Sequence, residues 1–119
     1  NKNRQLTTSE LKLANKLLEL IDKHLDKDSD GDPKLRWALR RKVCKELSYQ
    51  ERGKPMLRVK LKMEKWKVQK GLCAECNQEL PNRGTILDRR YAMQGYTAKN
   101  TRLLCPPCDA RIQEERRFA

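Results

Sequence analysis

Apolar residues at helical spacing predict that the chain begins with an amphipathic helix. Leu, Ile and Ala recur every three or four positions between Leu11 and Leu25. Thr7 is followed three positions later by Glu10, which is the capping-box pattern of a helix start. Further leucines widen the apolar stripe to about half of the circumference, so we expect this helix to pack on at least one other helix.

A second helix is predicted over about 33–47, and it would complete an αα-hairpin. Asp32 is a favourable N-cap residue, and Pro33 suits the first helical position. The acidic turn before it resembles the start of a calcium-binding EF-hand loop, but Trp37 stands where that loop needs a bidentate Glu. We therefore interpret this segment as a polar turn, and residues 50–55 as a linker after the hairpin.

The segment 56–70 fits two structures. Apolar and charged residues alternate from Leu57 to Glu64, which is the period of a strand. Arranged as a helix, the same residues form two opposite apolar stripes, and their Lys, Leu, Met, Glu and Gln content favours helix. We predict a helix with one stripe against the hairpin and the other against the module that follows.

Charge is high and unevenly distributed along the chain. Lys and Arg number 28 against 16 Asp and Glu in 119 residues, so the net charge is +12. Residues 33–70 carry 14 basic against 3 acidic residues, a net charge of +11. This field predicts a polyanionic partner, and nucleic acid is the favoured one, with DNA ahead of RNA. An acidic protein, membrane headgroups or a merely soluble surface remain alternatives.

The cations expected to contact nucleic acid lie on the second and third helices and in a later basic segment. They are Arg36, Arg40, Arg41, Lys45, Arg58, Lys62, Arg89 and Arg90.

No membrane-spanning segment is expected, because no apolar run exceeds three residues and a span needs about 20. The first residues are polar and no apolar signal-peptide core follows them. We therefore expect an intracellular location, in the cytoplasm or with the nucleoid or nucleus.

Two C-x-x-C pairs carry the clearest chemistry in the sequence. Cys73 with Cys76 and Cys105 with Cys108 are separated by 28 residues. Each pair can hold one metal ion from a tight turn, and two pairs complete a tetrahedron, so we predict one structural zinc ion. Two disulfides, a redox-active pair and a rubredoxin-like iron site are the alternatives. Cys44 is left over, and we interpret it as a small buried residue of the second helix.

The residues between the two pairs resemble a known family. The first pair, then Ile86-Leu87-Asp88-Arg89, then Asn100 five residues before the second pair and Asp109 right after it, look like a zinc-bearing HNH endonuclease module. The resemblance covers about residues 68–117. It implies a treble-clef, ββα-metal fold with strands near 85–89 and 101–104, and a helix from the second pair to about Arg117.

The resemblance also assigns roles to single residues. Asp88 stands at the position of a metal-ligating Asp, and Asn100 at that of an Asn that holds the loop. Asp109 stands where the family has its second ligand, so the resemblance implies a magnesium site at Asp88 and Asp109. Arg89 stands where the family has the general-base His, and an Arg does not accept a proton from water. The chain's one His, His24, lies in the first helix, away from this motif.

The sequence therefore predicts an α+β chain, with a basic helical hairpin over 1–54 and a connecting helix plus four-cysteine zinc treble clef over 55–119. The first functional hypothesis is a nucleic-acid-binding module with impaired catalysis, inside a larger assembly. The second is an active metal-dependent nuclease that uses Asp88, Asn100 and Asp109. The third is a zinc-stapled protein-interaction module that docks through its leucine-rich hairpin.

Overall fold

The structure, a computed structural model, describes residues 2–116. The chain is α+β, with four α-helices and one two-stranded antiparallel sheet among the described residues. The described residues divide into two compact units, Arg4–Gln50 and a second unit made of residues 2–3 and 51–116. The first unit is helical, and the second holds the sheet and the paired cysteines.

Helix α1 spans Thr8–Ser29 and begins with the predicted capping box. The Glu10 N–H donates to the Thr7 hydroxyl, and the Thr7 N–H donates to the Glu10 carboxylate at 2.9 Å. Helix α2 spans Pro33–Arg52, five residues longer than predicted. Residues 50–52 are good helix formers, so the predicted linker is helical up to Gly53, whose φ of +72° favours glycine.

The apolar stripe of α1 is largely exposed, contrary to the expectation that it packs on another helix. Only Leu25 and Ser29 of α1 are buried, and α2 has no buried residue. Leu17 keeps 63% of its surface exposed. One neighbouring helix cannot cover a stripe as wide as half the circumference. Cys44 is also exposed, so its interpretation as a buried residue is wrong.

The segment with the ambiguous pattern is helix α3, Pro55–Gln69, which confirms the helical prediction. Strand β1 spans Ile86–Arg89, strand β2 spans Thr101–Leu104, and helix α4 spans Pro106–Arg116. The predicted end of the last helix at Arg117 lies outside the described residues. Helix α3 packs on both strands and α4 packs on β1.

The core of the second unit is small and lies between the sheet, α3 and α4. Leu103 and Leu104 are fully buried, and a short list of side chains surrounds them: Leu61, Cys73, Leu80, Leu87, Cys108 and Ile112. Of the two apolar stripes predicted on α3, only Leu61 is buried. Such a core covers little apolar area, so a further stabilising bond is expected. No helix among residues 2–116 is long and apolar enough to cross a membrane.

Candidate metal centre

The first cysteine pair lies in a tight turn held by backbone hydrogen bonds. Leu72 and Glu79 form an antiparallel bridge, and the Cys73 N–H donates to the Gln78 carbonyl at 2.8 Å. Asn77 adopts a left-handed conformation with φ +60°, which Asn tolerates better than most residues. The turn therefore presents both sulfurs of the C-x-x-C pair from one short segment.

The second pair follows directly from the sheet. Cys105 is the residue after β2, and Cys108 lies in the first turn of α4. The Ala74 N–H donates to the Leu103 carbonyl at 3.1 Å, which joins the first turn to β2. This bond and the antiparallel pairing of β1 with β2 bring together two cysteine pairs that are separated by 28 residues.

The four sulfur atoms of Cys73, Cys76, Cys105 and Cys108 lie within 4.8 Å of one another. The Cys76 and Cys105 sulfurs are 3.8 Å apart. A tetrahedron with Zn–S bonds of about 2.3 Å has sulfur–sulfur edges of about 3.8 Å. The donor set therefore fits one tetrahedral metal ion, and zinc and iron both use four thiolates in this geometry.

The electrostatics of the cluster also fit a cation. Burial raises the pKa of Cys73, but N–H groups of Cys76, Cys105 and Glu75 stabilise its thiolate and bring the pKa down to about 6. Hydrogen bonding with the neighbouring Cys105 sulfur raises the pKa of Cys108 to about 12. Thiols this close cannot all ionise without a positive charge between them, and a bound metal ion supplies that charge.

Asp88, which the resemblance assigns as a magnesium ligand, is buried, and its negative charge is balanced by two arginines. Its side chain is 1% exposed. Arg116 donates to both carboxylate oxygens at 2.7 and 3.2 Å, and Arg102 donates to one at 3.2 Å. Two guanidinium groups thus supply the positive charge that a divalent ion would bring, so the structure does not support magnesium at Asp88.

Asp109, the second candidate magnesium ligand, lies near Asp88. The Gln113 amide nitrogen donates to Asp109 at 3.0 Å and to Asp88 at 3.3 Å. The two carboxylates are therefore bridged by a neutral amide. Sequence reasoning did not find Gln113, Arg102 or Arg116, because nothing in their spacing indicates that they surround Asp88.

Asn100 is buried and holds the loop between the strands. Its amide nitrogen donates to the carbonyls of Tyr91 and Gly95 at 2.8 and 2.6 Å, and its side-chain oxygen accepts from the Tyr91 N–H at 3.0 Å. These three bonds fix the loop that follows β1. The side chain contacts backbone throughout, so the structure gives it a positioning role, and its part in catalysis stays a prediction.

Arg89, expected to contact phosphate, is only 8% exposed. It donates to the Ala92 carbonyl at 3.3 Å, lies 3.6 Å from Glu51, and sits over the Tyr96 ring at 4.9 Å. This placement corrects the expectation, because a buried guanidinium with these partners cannot reach a nucleic-acid backbone.

The remaining predicted cations differ in whether their side chains are held by contacts within the protein. Arg36 pairs with Asp26 at 2.6 Å, and Arg58 donates to the Gly53 carbonyl at 2.7 Å. Both of these side chains therefore have structural roles. The others are exposed, namely Arg40, Arg41, Lys45, Lys62 and Arg90, although Lys62 also donates to the Thr85 carbonyl.

In comparisons with known proteins, no family model, no curated protein and no solved structure matches this chain.

Proposed function

We propose that this chain is a zinc-stapled, HNH-like module that binds nucleic acid and does not cleave it efficiently. The treble-clef identity, the zinc ion, the partner and a place in a larger assembly are all part of this proposal. DNA is favoured over RNA.

The order of elements in the second unit supports the HNH-like part. A cysteine turn is followed by a strand, a loop held by Asn100, a second strand, and a helix that begins at the second cysteine pair. This is the order that the resemblance implies for a ββα-metal fold.

The proposal that the chain does not cleave nucleic acid efficiently rests on the contacts of Asp88. A carboxylate bonded to Arg116, Arg102 and Gln113 has little capacity left to ligate a metal ion. Arg89 stands at the general-base position and is buried. Loss of a general base alone typically lowers the rate by about 10²–10⁴-fold.

Exposed cations on α2 and α3 support nucleic acid as the partner. Arg40, Arg41 and Lys45 lie exposed on α2, and Lys62 lies exposed on α3. Binding through such contacts is independent of sequence and releases counterions, so affinity falls steeply with salt.

The test measures the affinity of the metal-loaded chain for a 20-base-pair DNA duplex by fluorescence anisotropy across salt concentrations. We expect a steep linear fall of log K with log salt, and a slope smaller by about 0.9 for each phosphate contact removed. The variant R40Q/R41Q/K45Q should bind more weakly and show the smaller slope. The matched control K12Q/K16Q/K23Q removes the same charge from α1 and should bind like the unchanged chain. A flat salt plot would exclude nucleic acid as the main partner.

An active nuclease is the second candidate, and the proximity of Asp88 and Asp109 favours it, since Gln113 contacts both carboxylates. Incubation of supercoiled plasmid with Mg²⁺ or Mn²⁺ separates the two candidates. Nicking that disappears in the variant D109A, with zinc content unchanged, would replace the non-catalytic proposal with this one.

A protein-interaction module is the third candidate, favoured by the exposed leucines of α1. Leu11, Leu17 and Leu18 each keep half or more of their surface exposed. Contiguous exposed apolar surface marks an interaction site when it is large. This candidate predicts a complex with a protein partner that survives 1 M salt and is lost in the variant L17K.

A further inference from the structure

A groove on the second unit lies between α3 and the loop that precedes β1. Its volume is about 560 Å³, which is within the usual range for ligand sites. One wall is the face of α3 with Met63 and Trp66, and the other is the loop around Arg83 and Gly84. Neither the cysteine cluster nor the Asp88 network belongs to this groove.

The groove has an aromatic wall that is held in place. Trp66 remains 37% exposed, and its ring lies against Gly71, where a Cβ would meet ring atoms at 3.4 Å. Gly71 also has a φ of +71°, so a side chain there would be disfavoured for two reasons. The indole is therefore braced on one edge and accessible from the groove.

The remaining lining is basic. Lys62, Lys67 and Arg83 line the groove, and no Asp or Glu is among the described residues that line it. Lys62 donates to the Thr85 carbonyl at 2.8 Å, which uses one of its three N–H groups. Asn82 adds an amide that can both donate and accept hydrogen bonds. An apolar aromatic wall with cations around it matches an aromatic ligand that carries negative charge.

We propose that this groove binds an unpaired nucleotide of a single-stranded nucleic acid, with the base on Trp66 and the flanking phosphates on Lys62, Lys67 and Arg83. Base stacking on an aromatic side chain within a positively charged groove is the way single strands are bound without sequence preference. A paired base cannot present its face, so a duplex leaves the groove empty. This inference rests on the proposed nucleic-acid binding and adds the strand preference to it.

The test uses the fluorescence of Trp66 in the metal-loaded variant W37F, in which Trp66 is the one remaining tryptophan. Oligo(dT) of 15 nucleotides and a 15-base-pair duplex are titrated at the same salt concentration. We expect oligo(dT) to quench the Trp66 emission and the duplex to leave it unchanged. Because this variant leaves the groove intact, the result does not depend on the folding of a groove mutant.

Variants of the groove then test how much base stacking on Trp66 contributes to the affinity for oligo(dT). W66L should weaken oligo(dT) binding about tenfold and leave duplex binding unchanged, whereas W66F should retain most of the affinity. The matched control Y91L removes an aromatic ring that is 53% exposed outside the groove, and it should bind like the unchanged chain. Zinc content and far-ultraviolet circular dichroism establish that each variant is folded.

The outcomes separate the two proposals. Binding of both oligonucleotides with no Trp66 quenching, or with W66L unchanged, would overturn the groove assignment and leave nucleic-acid binding standing. No binding of either oligonucleotide would overturn the proposed function itself. A poly-Glu peptide of equal charge is a further probe. If it displaces oligo(dT) and itself quenches the Trp66 emission to the same extent, the groove would be assigned to an acidic protein segment instead.

Discussion

Arg116 is the side chain that most directly neutralises Asp88. Both groups are nearly fully buried, with exposed side-chain fractions of 8% and 1%. The pair also has a third contact, because Arg116 donates to the Arg89 carbonyl at 2.8 Å. A buried ion pair of this kind contributes little compared with an apolar pair, but removing one partner leaves an uncompensated charge.

We therefore expect the substitution Arg116→Met to lower the free energy of unfolding of the metal-loaded protein by about 3 kcal/mol. Arg102 and Gln113 still contact Asp88, which keeps the loss at the lower end of the usual range. Urea denaturation followed by circular dichroism measures the change.

Two further variants control this measurement. The variant Arg111→Met removes an arginine that forms ion pairs while its side chain is 53% exposed. This substitution should change the free energy of unfolding by less than about 1 kcal/mol. Adding Asp88→Asn to Arg116→Met should recover part of the loss, because the buried charge is then gone. Equal stability of the Arg116→Met and Arg111→Met variants would contradict a charge-compensating role for Arg116.

At the scale of elements, Gln69 joins the end of α3 to the sheet. Its amide nitrogen donates to the Leu103 carbonyl at 3.0 Å, and its side-chain oxygen accepts from the Leu103 N–H at 2.8 Å. The side chain thus pairs with β2 as a neighbouring strand would. A two-stranded sheet has few hydrogen bonds of its own, so this connection contributes to its order.

Replacing Gln69 with Leu should destabilise the protein by about 1–3 kcal/mol, because the N–H of the buried Leu103 loses its partner and the Leu103 carbonyl keeps only the Ala74 N–H. Amide hydrogen exchange at Leu103 should accelerate more than exchange in α1. The same replacement at the exposed Gln94 is the matched control. An unchanged exchange rate at Leu103 would mean that Gln69 does not support the strand.

The start of α1 offers a test that depends on pH. Hydrogen bonds from the Thr7 N–H and from Arg4 hold the pKa of Glu10 below its usual value of 4.5. A lowered pKa means that this stabilisation is present above the unfolded pKa and is lost as the pH falls through the folded one. The protection factors of amides in the first turn of α1, which are exchange rates corrected for their intrinsic pH dependence, should therefore fall on acidification, and the variant Glu10→Gln should remove this fall. A fall in protection that persists in this variant would assign it to another group.

At the scale of the whole molecule, the small core of the second unit leads us to expect that its fold depends on a metal ion bound by the cysteine cluster. Leu103 and Leu104 are fully buried, but few other apolar side chains are buried with them. Metal-binding free energy in such a unit is folding free energy. A metal ion bound by the four cysteines would connect the first turn, the end of β2 and the start of α4.

Removal of the metal should therefore abolish exchange protection across residues 73–112. Native mass spectrometry should find one metal ion per chain, and Co²⁺ replacement should give the absorption bands of a tetrahedral thiolate site. The affinity for the metal ion should decrease as the pH is lowered, because protons compete for the sulfurs.

The variant C105S should lose the ion, whereas C44S, which alters the cysteine outside the cluster, should retain it. A metal-free protein with full protection would contradict the role of the cluster.

Local patterns in the sequence determined the helices and the four-cysteine group. The capping box of Thr7 and Glu10, the helix content of 56–70 and the C-x-x-C spacing depend on residues that are near one another, so propensity and spacing suffice to predict them. Only the tertiary structure decided the surroundings of Asp88 and Arg89. Their partners lie up to 38 residues away in sequence, as Glu51 does from Arg89, and whether a charge is buried or exposed depends on how the strands, loop and α4 pack. Burial and pairing arise from contacts across the fold, and no local pattern encodes them.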